Sequence, residues 1–144
     1  MRVGNSIIEL IGSTPVVRIK KVVPDDVKAE IWGKCEFMNP TGSVKDRMAL
    51  YMIREAERTG RLKPGMTLVI ATTGNTGIAF AALGAALGYK VLIIIPEEMS
   101  EERFFLMKLY GAEFITTPGG ESDVVKSLEY AYELARKEPD KYCV

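Results

Sequence analysis

The 144-residue chain carries 19 basic and 19 acidic side chains, no histidine, two cysteines and 47% hydrophobic residues. A net charge of zero leaves no electrostatic footprint for nucleic acid, and the apolar fraction is too high for a disordered chain. Cys35 and Cys143 form neither a disulfide scaffold nor a zinc-ligand pattern. Without histidine there is no Ser-His-Asp triad, no Cys-His pair and no His-ligated metal. Enzymatic chemistry would therefore rest on Lys, Ser/Thr, Asp/Glu, Tyr or a cofactor.

In chain order, residues 5–11 read as a short helix. Residues 15–20 (PVVRIK) and 28–35 (KAEIWGKC) read as strands, with Pro24-Asp25-Asp26 as the turn between them. Asn39-Pro40-Thr41-Gly42-Ser43 is a turn-forming cluster. A helix is predicted over 44–58, closed by Gly60, with Ser43 and Asp46 spaced as a capping box. From residue 67 the chain alternates. Thr67–Ala71, 90–95 and Glu113–Thr117 read as strands. The Ala-rich 77–87 closed by Gly88, a segment from Ser100 to about 110, and 122 or 123 to 137 read as helices. Residues 142–144 begin one more strand. Strands that are apolar on both sides, in strand-helix-strand order, predict an α/β fold. Its parallel sheet carries helices on both faces and right-handed crossovers. No stretch reaches the ~18 consecutive apolar residues of a membrane span, and the N-terminus lacks the apolar run of a signal peptide. A soluble cytoplasmic protein with reduced thiols is expected.

Two loops carry chemistry. Lys45 stands in the first turn of the 44–58 helix, where the helix dipole disfavours positive charge. A Schiff-base lysine needs a neutral amine, and Asp46 and Arg47 can pair or cap around it. The plain alternative is a capped surface helix. The second loop is Thr72-Thr73-Gly74-Asn75-Thr76-Gly77, between an apolar strand and the Ala-rich helix. Three hydroxyls, a carboxamide and helix N-terminal amides suit a carboxylate or phosphate. It is neither a P-loop nor the dinucleotide fingerprint. The alternative here is a βα turn using Gly and Asn for its backbone.

IGSTP (11–15), NPTGSVKDR (39–47), TTGNTG (72–77) and PEEMS (96–100) occur in this order. With them the chain resembles the N-terminal portion of the cysteine synthase (O-acetylserine sulfhydrylase) family, among the fold-type-II pyridoxal-phosphate enzymes. The resemblance runs from about residue 7 to 144 and implies pyridoxal 5'-phosphate as cofactor. It makes Lys45 the catalytic lysine, bound to the cofactor as a Schiff base and handling the substrate α-proton. It makes Asn75 a ligand of the cofactor's phenolic oxygen. Thr72, Thr73, Gly74, Asn75 and Thr76 become the grip on the substrate α-carboxylate. The implied reaction is β-replacement of an O-activated serine, O-acetylserine, by sulfide to give cysteine. The family loop commonly has Ser where Thr73 adds a methyl.

The resemblance also implies an organisation. Residues 1–43 are N-terminal strands shared with a C-terminal domain, and residues 44–144 are a small α/β domain carrying the substrate loop. The C-terminal domain that binds the cofactor phosphate is absent from this sequence, which reads as an N-terminal fragment. Val16, Ile31 and Trp32 are then expected to be exposed, or covered in a homo-oligomer, a dimer. Val44 before the lysine and the missing histidine disfavour the dehydratases and threonine synthases. Cystathionine β-synthase and O-phosphoserine sulfhydrylase remain alternatives. From other classes, the alternatives are a catalytically silent fragment or interaction module, and a nucleotide binder using Glu97 or Glu98, whose glycine spacing is wrong.

Overall fold

The computed structural model describes residues 3–144. Strands β1 (Val16–Ile19) and β2 (Ile31–Lys34) pair antiparallel and form a sheet of their own. Helix α1 (Lys45–Arg58) follows, then β3 (Thr67–Ala71), α2 (Asn75–Leu87), β4 (Lys90–Pro96), α3 (Glu101–Leu109), β5 (Glu113–Thr117), α4 (Val124–Lys137) and β6 (Tyr142–Cys143). The last four strands form one parallel sheet in the order β5-β4-β3-β6. The α/β fold expected from the pattern is the fold observed.

Strand side chains alternate between faces, and both faces are covered. Leu68, Val91, Ile93 and Ile95 share one core with Ala49 and Ile53 of α1, Phe80 of α2 and Met107 of α3. Val69, Leu92 and Ile94 share the other with Ala131 of α4. Ile93, Ile94 and Ile95 are all 0% exposed, so the continuous apolar run of β4 serves both faces. Each such side chain contributes roughly 1.5–3 kcal/mol by burial. Helix α2 is apolar all round because it is enclosed, packing on β3, β4, α1 and α3. Gly77 makes that possible: a Cβ there would lie 2.6 Å from Met107 Sδ and 2.7 Å from Thr72 Cγ2.

The N-terminal third is shorter in its elements than the sequence pattern suggests. The helix expected over 5–11 is a single 3-10 turn, Ile7–Leu10, with Ser6 Oγ accepting from the Ile8 amide. A second 3-10 turn, Glu36–Met38, falls where no element was expected. Val16, Ile31 and Trp32 are 54%, 41% and 55% exposed, as expected. No helix among the described residues is long and apolar enough to cross a membrane.

Candidate active site

The carboxyl ends of β3, β4 and β5 lie on one edge of the sheet, and the strand order turns back at β3. Ligands bind beyond this edge in open α/β sheets. The TTGNTG segment leaves β3 there, and α2 begins at Asn75, two residues earlier than the pattern suggested. Asn75 and Thr76 therefore lie in the first helical turn, where their amides have no intrahelical acceptor. Lys45 begins α1, which packs against α2. Tyr89 Oη donates to Glu57 Oε1 at 2.9 Å, tying the far ends of α2 and α1 together. The two helices have 14 and 13 residues, about 20 Å each at 1.5 Å per residue. With their C-terminal ends joined and their sides packed, their first residues, Lys45 and Asn75, share the opposite end.

The loop residues differ in availability. Thr72 is buried, and its hydroxyl accepts from the Gly74 amide at 3.3 Å. Its own amide donates to Ile94 O at 3.1 Å, which binds the loop to β4. Thr73, Gly74 and Thr76 are half-buried and Asn75 is exposed. A Cβ added at Gly74 would meet nothing within 4 Å, so space lies open beside its backbone. Lys45 is half-buried. Its amine joins none of the ion pairs formed among the described residues.

The residues flanking Lys45 do not behave as expected. Asp46 and Arg47 neither pair with each other nor cap the helix, and Ser43 and Asp46 do not form a capping box. Val44 occupies the cap position without a side-chain bond, and Ser43 Oγ accepts only from the Lys45 amide, at 3.2 Å. The Asp46 carboxylate is fully buried and turned backward, accepting from the Thr41 amide at 2.8 Å and from the Thr41 hydroxyl. Gly42, at φ +83°, folds the chain so that Thr41 comes within its reach. A charged acceptor draws two local donors more strongly than it draws the single Ser43 amide.

Arg47 instead grips Glu36, with Nε to Oε2 at 2.8 Å and Nη2 to Oε1 at 3.0 Å. Glu36 also accepts from the Asn39 amide nitrogen at 2.8 Å and the Thr14 hydroxyl at 3.0 Å. Asn39 Oδ1 in turn accepts from the Gly12 amide at 2.9 Å. The IGSTP and NPTGSVKDR motifs thus meet around one carboxylate and hold the turn that presents Lys45. The paired Arg47 guanidinium, aided by Asn39 and Thr14, lowers the Glu36 pKa from its usual 4.5 to about 2. Sequence reasoning missed Glu36, since a contact eleven residues apart through a turn leaves no periodic signal. Arg103, three residues past PEEMS, donates to the Thr73 carbonyl at 2.6 Å and so ties the start of α3 to the TTGNTG loop.

Comparison with known proteins places the chain in a family. A family model for pyridoxal-phosphate dependent enzymes matches residues 7–144. A cysteine synthase of Staphylococcus aureus is 48% identical over 141 residues, which is 96% of this chain and 45% of that protein. The crystal structure of an O-ureido-L-serine synthase superposes with a TM-score of 0.89 at 39% identity, over 98% of this chain and 44% of that one. A cysteine synthase from Entamoeba histolytica gives a TM-score of 0.88 at 40% identity, over 98% and 42%. The chain thus spans less than half the length of these relatives. Sequence and topology agree that the chain belongs to the family of pyridoxal-phosphate-dependent enzymes.

Proposed function

We propose that these residues form the N-terminal part of a cysteine synthase-type active site. It replaces the β-substituent of an O-activated serine, O-acetylserine, with sulfide to give cysteine. One observation supports the reading: Lys45 and the donor-rich 72–76 loop stand at the starts of two packed helices whose other ends are joined by the Tyr89–Glu57 hydrogen bond.

The donor set fits pyridoxal phosphate. Lys45 offers an amine outside any ion pair formed among the described residues, and Asn75 an exposed carboxamide beside the open space at Gly74. The cofactor, when bound, supplies an electron sink next to the substrate α-carbon. Lys45 Nζ would hold it and would carry the substrate α-proton. Thr72, Thr73, Gly74, Asn75 and Thr76 bind the α-carboxylate through hydroxyls and first-turn amides, which favour an anion. Fixing the carboxylate at one end and the amine at the other orients the Cα–H bond. On the same reading, residues 3–43 form an N-terminal segment apart from the substrate-loop domain of residues 44–144. The cofactor phosphate is bound by the part corresponding to the remainder of the relatives' length. A cytoplasmic homodimer belongs to the same reading.

The test is covalent trapping. Pyridoxal phosphate is added, the mixture is reduced with borohydride, and the adduct is mapped by mass spectrometry. The expected result is a single reduced adduct on Lys45 that K45A abolishes. An unmodified Lys45 would overturn the assignment and favour a silent module. The likeness to an O-ureido-L-serine synthase favours a second reading, in which the same loop handles a different O-substituted serine. Competition between O-acetylserine and O-ureido-L-serine for the site separates the two.

A further inference from the structure

Arg103 has no role in the reading above, yet its guanidinium touches three successive connections at the carboxyl edge. Nη1 donates to the Thr73 carbonyl, between β3 and α2, at 2.6 Å. The same nitrogen lies 3.5 Å from Met99 Sδ, between β4 and α3. It lies 3.8 Å from Glu121 Oε1, between β5 and α4. A short bond from a charged donor is among the stronger hydrogen bonds available.

The partner it holds is informative. The Thr73 carbonyl and the Gly74 amide belong to one peptide unit. Arg103 holds its oxygen, and Thr72 Oγ1 holds its N–H at 3.3 Å. Gly74 has no side chain to restrain the rotation of that unit, and nothing lies within 4 Å of where one would be. The next residue is Asn75, the start of α2. The orientation of this one peptide therefore sets where the Thr73 hydroxyl and the Asn75 amide point.

We propose that Arg103 is a positioning residue that locks the Thr73–Gly74 peptide, so that the donors of Thr73, Asn75 and Thr76 converge on an amino-acid carboxylate. The lock is a property of the free chain. Its consequence for substrate rests on the carboxylate-binding reading proposed above. Arg103 itself is 37% exposed at its side chain and acts through the loop rather than on the reacting atoms.

The experiment uses the 15N-labelled full chain as wild type, R103M and R103K. In R103M the order parameters of the Gly74 and Asn75 amides are expected to fall from about 0.85, typical of rigid backbone, to below about 0.6. The amides of Ile53 and Ile93 in the core should not change. Titration with O-acetyl-L-serine, followed on the loop amides, should show at least a fivefold weaker Kd for R103M. R103K, which keeps a charged donor, should return to within twofold of wild type. Loop amides as rigid in R103M as in wild type would overturn the lock, as would R103K as loose as R103M. A loosened R103M loop with wild-type affinity would overturn the link to substrate. If R103M loosens the loop but wild type shows no response to the amino acid, the lock is supported and the carboxylate reading fails.

Discussion

Replacing Asp46 with Asn keeps the shape of the side chain and removes its charge. Asp46 is 0% exposed and accepts from both the amide and the hydroxyl of Thr41. A hydrogen bond to a charged group contributes about 1.5–3 kcal/mol, against roughly 1 for a neutral pair. Asn retains one acceptor oxygen for the Thr41 amide, while its NH2 faces the hydroxyl, which can rotate to accept. The net loss is therefore the charge on two bonds rather than the bonds themselves, about 2 kcal/mol. With a urea slope of about 2 kcal/mol/M, ordinary for a small protein, the unfolding midpoint should fall by about 1 M. T41V removes one of the two donors, and the D46N/T41V double variant should lose about 1 kcal/mol less than the sum of the single changes. Urea unfolding followed by far-UV circular dichroism measures all four proteins. A D46N midpoint within about 0.2 M of wild type, or strict additivity in the cycle, would refute the reasoning. Asp46 would then not organise the turn before Lys45.

Acid should release the neighbouring network. The Glu36 pKa is lowered to about 2 by Arg47. A depressed carboxylate pKa stabilises the folded chain above the unfolded value of 4.5, and the contribution is lost as pH falls from there through about 2. The wild-type unfolding midpoint should decline across that window and the E36Q midpoint should decline less; parallel curves would count against the pairing. G77A tests the close approach of α2. The new methyl would sit 2.6 Å from Met107 Sδ and 2.7 Å from Thr72 Cγ2. Overpacking of about 1–3 kcal/mol should exceed the ~1 kcal/mol gained in helix propensity. Thermal unfolding should show a lower Tm for G77A, and a Tm at or above wild type would mean that α2 has room to shift.

From residue 67 onward the sequence pattern and the structure agree closely. Thr67–Ala71 and Glu113–Thr117 are strands with the bounds read from the pattern. The apolar run at 90–95 is β4, one residue longer. Tyr142–Cys143 does pair as a strand, parallel to β3. The agreement has a physical basis. A strand buried on both faces must be apolar throughout, and a helix enclosed between a sheet and other helices must be small and apolar on every side. Neither demand depends on knowing the partner. The N-terminal third obeys weaker constraints, because among the described residues β1 and β2 pair only with each other and their burial is partial. There the pattern located the strands and overextended them.

The site divides in the same way. Lys45 and the 72–77 loop were legible as residues because turn chemistry and helix starts are local, and four ordered motifs together are specific to a family. What holds them was not legible. The Ser43 and Asp46 spacing matched a capping box, but Gly42 brings Thr41 round to capture Asp46 first. Arg47 stands next to the lysine in sequence and is bonded to Glu36, eleven residues back. Arg103 reaches Thr73 across thirty residues. Which donor meets which carboxylate depends on how the chain closes on itself. Periodicity named the fold class, and local turn chemistry with the family resemblance of four ordered motifs named the candidate loops. Only folding, by bringing charged side chains within hydrogen-bonding distance of partners elsewhere in the chain, decided how those loops are held.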